Sequence, residues 1–188
     1  MAGGHFNIAV TTAVFIVEYR NWRKNWKIAL VIMLCGVAGG FFGCCMKGVF
    51  DGWDTLVELK PSRGGVYTDL YHVYLEEALF TFLFISVIIH TKYENVAPSK
   101  DGVLNTLTIA LTLFGLVCMA SADTGACFNP TIGITFTIME YAKDLQLGES
   151  LSHYIVAYFF GPITGAILAA LWLITAGFWV SPVFHEHV

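Results

Sequence analysis

Long apolar stretches broken by short polar clusters organise this chain. Residues 8–18 form a short apolar run that stops at Glu18-Tyr19-Arg20. A basic stretch with Arg20, Arg23, Lys24 and Lys27 follows and reads as a turn. Residues 28–46 are apolar and glycine-rich, through Gly36, Gly39, Gly40 and Gly43. A polar loop runs from Lys47 to about Asp69. Apolar runs then cover 70–91 and 103–122, separated by a loop with Lys92, Glu94, Pro98, Lys100 and Asp101. A second short run, 130–142, ends at Lys143, Asp144 and Glu149, and the last run covers 151–178. A membrane-crossing helix needs about 20 apolar residues for a core of about 30 Å. The pattern therefore predicts one all-α integral membrane domain over residues 1–188. Four runs are full spans (28–46, 70–91, 103–122, 151–178), and 8–18 and 130–142 are half-helices too short to cross.

The two short runs open on the same pattern. Gly3-Gly4-His5-Phe6-Asn7-Ile8-Ala9 precedes the first, and Gly125-Ala126-Cys127-Phe128-Asn129-Pro130-Thr131 the second. Aligning Asn7 with Asn129 also pairs Gly3 with Gly125 and Phe6 with Phe128. Such a repeat in an apolar chain predicts two related halves, each sending a half-helix into the membrane. A helix that starts at mid-membrane points free N–H groups and a positive dipole end into the centre. Proline suits the first turn because it has no N–H to leave bare, and asparagine before it caps that turn. Two such helices meeting end to end set two amide groups side by side, where they can donate to a passing oxygen while the dipoles disfavour cations.

Composition supports the membrane reading. Apolar residues make up 56% and charged residues 13%, about half the charge of a soluble domain, with a mean hydropathy of +0.67. A net charge of −4 leaves no nucleic-acid footprint. With the basic stretch at 20–27 inside, the loop at 92–101 is inside too. The inner side then holds Arg20, Arg23, Lys24, Lys27, Lys92 and Lys100, against Lys47, Lys60, Arg63 and Lys143 outside, which agrees with the positive-inside rule. Cys35, Cys44, Cys45, Cys118 and Cys127 read as small buried hydrophobes, and their spacing suggests neither a disulfide framework nor a metal site. Trp22, Trp26, Trp53 and Trp179 near span ends fit interface anchors. No cofactor and no nucleophile–base pair is legible, so an enzyme is not expected.

The boxes resemble those of the aquaporin (major intrinsic protein) superfamily. Gly4-His5-Phe6-Asn7-Ile8-Ala9-Val10-Thr11 is similar to its first signature box, and Thr124 to Thr131 to its second. Glu77, Thr81 and Phe82 match its glutamate-led fourth helix, and Gly161-Pro162-Ile163-Thr164-Gly165-Ala166 its sixth. The resemblance covers almost the whole chain. It implies an aquaporin-like fold with Asn7, Ile8, Ala9, Asn129, Pro130 and Thr131 at the pore centre. It gives Glu77 the task of bracing re-entrant backbone, and His5 that of orienting its loop. Gly36 with Gly40, and Gly161 with Gly165, are then close helix crossings inside the fold.

Departures from the pattern shape the functional expectation. The first box normally follows two full spans and here starts at residue 3, which implies a member lacking the first two helices. Proline of the first box is Ile8. The filter arginine is replaced by Ile132 and the fifth-helix filter histidine by Val117, and Ala126 is a further degenerate selectivity position. Residues 1–6 would reach the midplane in extended form, roughly 16 Å at about 3.3 Å per residue. Their backbone groups cannot face lipid. Other membrane subunits covering residues 1–18 and the first span are therefore expected as partners, together with lipids. The favoured expectation is a non-conducting structural subunit of a larger membrane complex, with the mitochondrial inner membrane as the organelle such chains suit. The alternative is a channel for water or small neutral solutes whose pore a partner or oligomer neighbour completes.

Overall fold

In a computed structural model, residues 5–56, 59–64, 68–93, 96–143 and 148–180 are described, the side chains of 143, 148–153 and 177–180 apart. Gly3, Gly4, Glu94, Asp144 and the whole segment 1–4 lie outside them, as do the side chains of Lys143, Glu149 and Trp179. Six α-helices follow one another, with no strand among the described residues: α1 Ile8–Val17, α2 Trp22–Asp51, α3 Leu70–Lys92, α4 Gly102–Ala120, α5 Pro130–Lys143 and α6 Gly148–Val180. Four helical stretches are long and apolar enough to cross a membrane: Tyr19–Asp51, Leu70–Lys92, Gly102–Ala120 and Tyr154–Ala176. This is an integral membrane protein of the all-helical kind.

Local chemistry sets the helix ends. Asp69 caps α3 by accepting from the Tyr71 N–H, and Asp101 caps α4 by accepting from Val103 and Leu104. Gly52, at φ 92°, ends α2 in a conformation only glycine takes at no steric cost. α2 runs 30 residues, well beyond the apolar stretch 28–46. Arg20 sits in a 3₁₀ turn, Tyr19–Asn21, but Arg23, Lys24 and Lys27 lie on the first turns of α2. At the other end Lys47 and Asp51, expected in the loop, are an i,i+4 ion pair of 3.0 Å on its last turn. Nothing between Trp22 and Asp51 breaks a helix sharply, so it continues where polarity returns. Trp22 and Trp26 ride exposed on that first stretch.

The core forms around α1. Ala9, Ala13, Val14 and Val17 are fully buried against Phe84, Ile85 and Ile89 of α3 and Ala166, Ala169, Ala170 and Leu173 of α6. A helix apolar on all sides belongs inside, and α1 has α2, α3 and α6 around it. α3 and α6 are the paired centre; 39% of the apolar stretch of each is buried, against 11% for α2 and α4. The outer pair therefore faces lipid or other protein.

Small residues let the helices approach. A Cβ on Gly161 would come within 3.0 Å of the Tyr74 carbonyl, and one on Gly165 within 2.7 Å of the Phe82 nitrogen. A Cβ on Gly133 would meet the Tyr158 carbonyl at 2.7 Å. That carbonyl lies one helical turn before Pro162, which has no N–H to offer it, so α5 packs onto a place where the α6 ladder is open. Both glycine pairs thus serve crossings within the chain. Gly40 faces Thr135 of α5, where a Cβ would stand 2.7 Å from Cγ2; Gly36 faces Thr131 at an ordinary 3.7 Å. Gly40→Ala is accordingly expected to lower stability by about 1–2 kcal/mol. Gly36→Ala should be neutral or better. Thermal unfolding of the two variants in one detergent checks the difference.

Candidate functional site

α1 and α5 start near one another, and their first residues exchange bonds. The Asn7 side chain accepts from the Ala9 N–H (2.8 Å) and the Asn129 side chain from the Thr131 N–H (3.0 Å). Each amide oxygen thereby caps its own half-helix. The amide nitrogens cross over. Asn7 Nδ2 donates to the Phe128 carbonyl (2.9 Å), and Asn129 Nδ2 to the Phe6 carbonyl (3.1 Å). This reciprocal pattern fixes both side chains in rotation. Each Nδ2 carries a second hydrogen, and both asparagines are half-buried. The centre therefore presents two oriented donors and two helix starts to whatever lies beside it. Ile8, Ala9, Pro130 and Thr131 are buried at those starts.

The second box is held from beneath by Glu77, fully buried on α3. Its Oε1 accepts from Thr124 Oγ1 (2.7 Å) and the Cys127 N–H (2.9 Å), and its Oε2 from the Phe128 N–H (2.8 Å). Thr124 Oγ1 also accepts from the Ala126 N–H, and the Tyr158 hydroxyl donates to the Thr124 carbonyl. These bonds hold a strained turn. Gly125 sits at φ 88°, Ala126 at 54° and Phe128 at 46°, and each non-glycine residue there costs on the order of 1–3 kcal/mol. Phe128 is buried, its ring 5.9 Å from that of Phe80.

The first box is built differently. His5 is half-buried, with Nε2 3.3 Å from Lys92 Nζ. Nearby, Glu18 accepts from Asn25 Nδ2 (2.7 Å) and from the Tyr93 hydroxyl (3.4 Å). Burial, then the Glu18 carboxylate, holds the Tyr93 hydroxyl well above the usual tyrosine range, so it keeps its proton and donates. Phe6, the counterpart of buried Phe128, is 85% exposed.

Beside the second box the centre opens into a cavity of about 410 Å³, lined in part by Ala126, Ile132, Phe136 and Lys60. Ile132 reaches it as an apolar group, and Val117 is exposed on α4. The polar loop after α2 closes over this mouth. The Ser62 and Arg63 N–H groups donate to the Ala122 carbonyl, and Arg63 pairs with Asp123 at 2.8 Å. Sequence reasoning singled out Asn7, Asn129 and Glu77. It did not find Thr124, Tyr158, or the pairing of Arg63 with Asp123; none stands out by type or spacing.

Two half-helices joined at capped asparagines, wrapped by longer apolar helices and braced by a buried carboxylate, define a membrane protein of the channel-fold class. A model of the major intrinsic protein family matches residues 1–173, and the chain belongs to that family. It is 32% identical over 173 residues to glycerol uptake facilitator protein-like 6 of Lactiplantibacillus plantarum, covering 90% of this chain and 73% of that one. It is 30% identical over 175 residues to the probable aquaporin AqpM of Archaeoglobus fulgidus, covering 92% and 66%. To the aquaporin AqpM of Methanothermobacter marburgensis it is 27% identical over 172 residues, covering 91% and 66%. The chain thus spans about two thirds to three quarters of the length of these relatives.

Proposed function

We propose that this aquaporin-like protein is a non-conducting accessory subunit of a larger membrane assembly. The observation that carries the reading is the state of the centre. Among the described residues nothing covers the flank of the first box, where Phe6 is 85% exposed. A conducting path also needs polar groups to replace a solute's hydration, and Val117, Ala126 and Ile132 offer none at the filter positions. α2 and α4 turn most of their apolar surface outward, which suits a subunit with membrane neighbours around residues 1–18 and α2, and lipid elsewhere. The mitochondrial inner membrane, rich in large complexes, is the location proposed; organelle fractionation tests it.

The vesicle experiment is direct. Reconstituted alone, the chain is expected to leave osmotic water permeability at the lipid background, and Asn129→Ala to change nothing. A clear rise abolished by Asn129→Ala would reject the reading. It would support a channel for water or small neutral solutes, which the two oriented asparagine donors and the names of the relatives favour. Mild detergent extraction is expected to yield a particle far larger than the 20.7 kDa chain or its tetramer.

A further inference from the structure

The basic residues ahead of the first long apolar stretch form a pattern in space. Arg20, Arg23, Lys24 and Lys27 recur at i, i+3, i+4 and i+7, so they share one face where the Tyr19–Asn21 turn runs into α2. The other face of these turns packs inward through Asn25 and Ala29, both buried. All four basic residues are exposed. Glu18, the nearest acid in sequence, is engaged with Asn25 and Tyr93. Among the described residues no acid pairs with Arg23, Lys24 or Lys27, and the first turn of α2 carries none. At the far end of the same helix Lys47 is matched by Asp51. The stripe also has a set depth. The 30 residues of α2 measure about 45 Å, close to the roughly 40–45 Å of a bilayer with both headgroup layers. Its apolar stretch starts at Ile28, directly after Lys27. Trp22 and Trp26 flank the stripe and are exposed, and the Lys27 ammonium lies 5.6 Å from the centre of the Trp26 ring. Tryptophan at such a level is an interface residue.

We propose that this stripe is a docking site for the headgroup of an anionic phospholipid. Arg23, Lys24 and Lys27 meet the lipid phosphate, Arg20 adds to their field, and Trp22 and Trp26 lie along the upper part of the acyl chains. The argument is charge complementarity. Three cations with no acid among them call for a ligand of net negative charge, and a zwitterionic lipid would bring a cation of its own. Depth selects the source. Charges at headgroup level, beside interfacial tryptophans, meet lipid phosphates before any soluble anion. Arginine makes paired, charge-assisted bonds to phosphate, and lysine adds a point charge beside it. Each basic residue near an anionic surface is worth about fivefold in affinity, so the three together supply on the order of a hundredfold. The site is independent of whether the chain conducts.

The test titrates the full chain, stripped of native lipid in mild detergent, with phosphatidylglycerol and with phosphatidylcholine of the same acyl chains. Bound lipids are counted by native mass spectrometry. Phosphatidylglycerol is expected to bind about tenfold more tightly or better. Arg23→Gln, Lys24→Gln and Lys27→Gln together should remove that preference, and each alone should weaken it about fivefold. Lys100→Gln, in the exposed loop before α4, is the control and should leave it intact. A basic stretch that only orients the chain needs no lipid contact. Equal binding of the two lipids therefore overturns the proposal, as does a preference that survives the triple change or is lost equally with Lys100→Gln. Lys24→Gln alone decides the matter should the triple variant not fold. Excess inorganic phosphate, at matched ionic strength, should not displace the lipid; displacement would make this a site for free anions and overturn the docking of a headgroup. Carbodiimide cross-linking in the native membrane gives a second readout. Lys24 and Lys27 should stay unlinked, and a bond from either to an Asp or Glu of another polypeptide, or of a second copy, overturns the proposal in favour of a protein partner.

Discussion

Glu77→Ala is expected to be the most damaging single change in this protein. It strips the acceptor from three buried donors at once: Thr124 Oγ1 and the Cys127 and Phe128 N–H groups. A buried donor left bare costs about 1–3 kcal/mol, so the loss should total about 4–6 kcal/mol. That is a large part of the 5–15 kcal/mol typical of a folded domain. The positive-φ turn at Ala126 and Phe128 is held by those same bonds and should relax with them. Since Phe128 also supplies the carbonyl that accepts from Asn7, the damage should spread to the first box. Glu77→Gln should be milder but still harmful. Its one oxygen can serve part of the donor set, while its NH₂ group would face an N–H. Purified in mild detergent, Glu77→Ala should unfold about 10–20 °C below the parent. A drop of less than about 3 °C would remove the brace from this account.

The second large effect is expected at Gly165. A Cβ there would collide with the Ala78 carbonyl, stand 2.7 Å from the Phe82 nitrogen and 3.0 Å from the Thr81 Cβ. The first two are backbone atoms of α3, which cannot swing aside as a side chain can. The helices would have to separate along the interface that buries Glu77, Thr81 and Ala166. Overpacking usually costs about 1–3 kcal/mol. Gly165→Ala should lie at or above the top of that range, and Gly165→Leu should give no monodisperse protein. Gly39→Ala is the matched control, because nothing lies within 4 Å of its Cβ position. It should be neutral or stabilising by up to about 1 kcal/mol, through helix propensity alone. Equal effects at both positions would mean that the α3–α6 contact does not govern stability.

Much of this architecture could be read from the chain because its signals are local. Asn129-Pro130 is a helix start by residue type, and Glu77, beside Glu76, stands out as an acid inside an apolar run. The glycine pairs mark close crossings, though not which helix they meet; that α2 reaches α5 through Gly40 needed coordinates. Helix length was less legible. Hydropathy falls at Lys47 and rises only after Lys27, yet α2 covers both, since charged side chains end burial without ending a helix. The bonds around the centre were not legible, because their partners are far apart in sequence: Thr124 with Glu77, Tyr158 with Thr124, Arg63 with Asp123. Nor could the sequence show that Thr106, Thr108 and Thr112 turn their hydroxyls back onto carbonyls of their own helix, which lets a polar type sit on an outward face.

The crossed asparagine bonds also bear on how the protein is made. Asn7 and Phe128 are 121 positions apart, and Phe6 and Asn129 are 123 apart. At about 5–20 residues per second of synthesis, α1 emerges roughly 6 to 24 s before the box it is tied to. Its 10 residues cannot cross a bilayer meanwhile, and the face of α6 that buries it is translated later still. Until α5 and α6 emerge, α1 has only its contacts with α2 and α3. Its packing is completed only by Ala166, Ala169, Ala170 and Leu173 of the last helix, so this fold is expected to close from the end backwards.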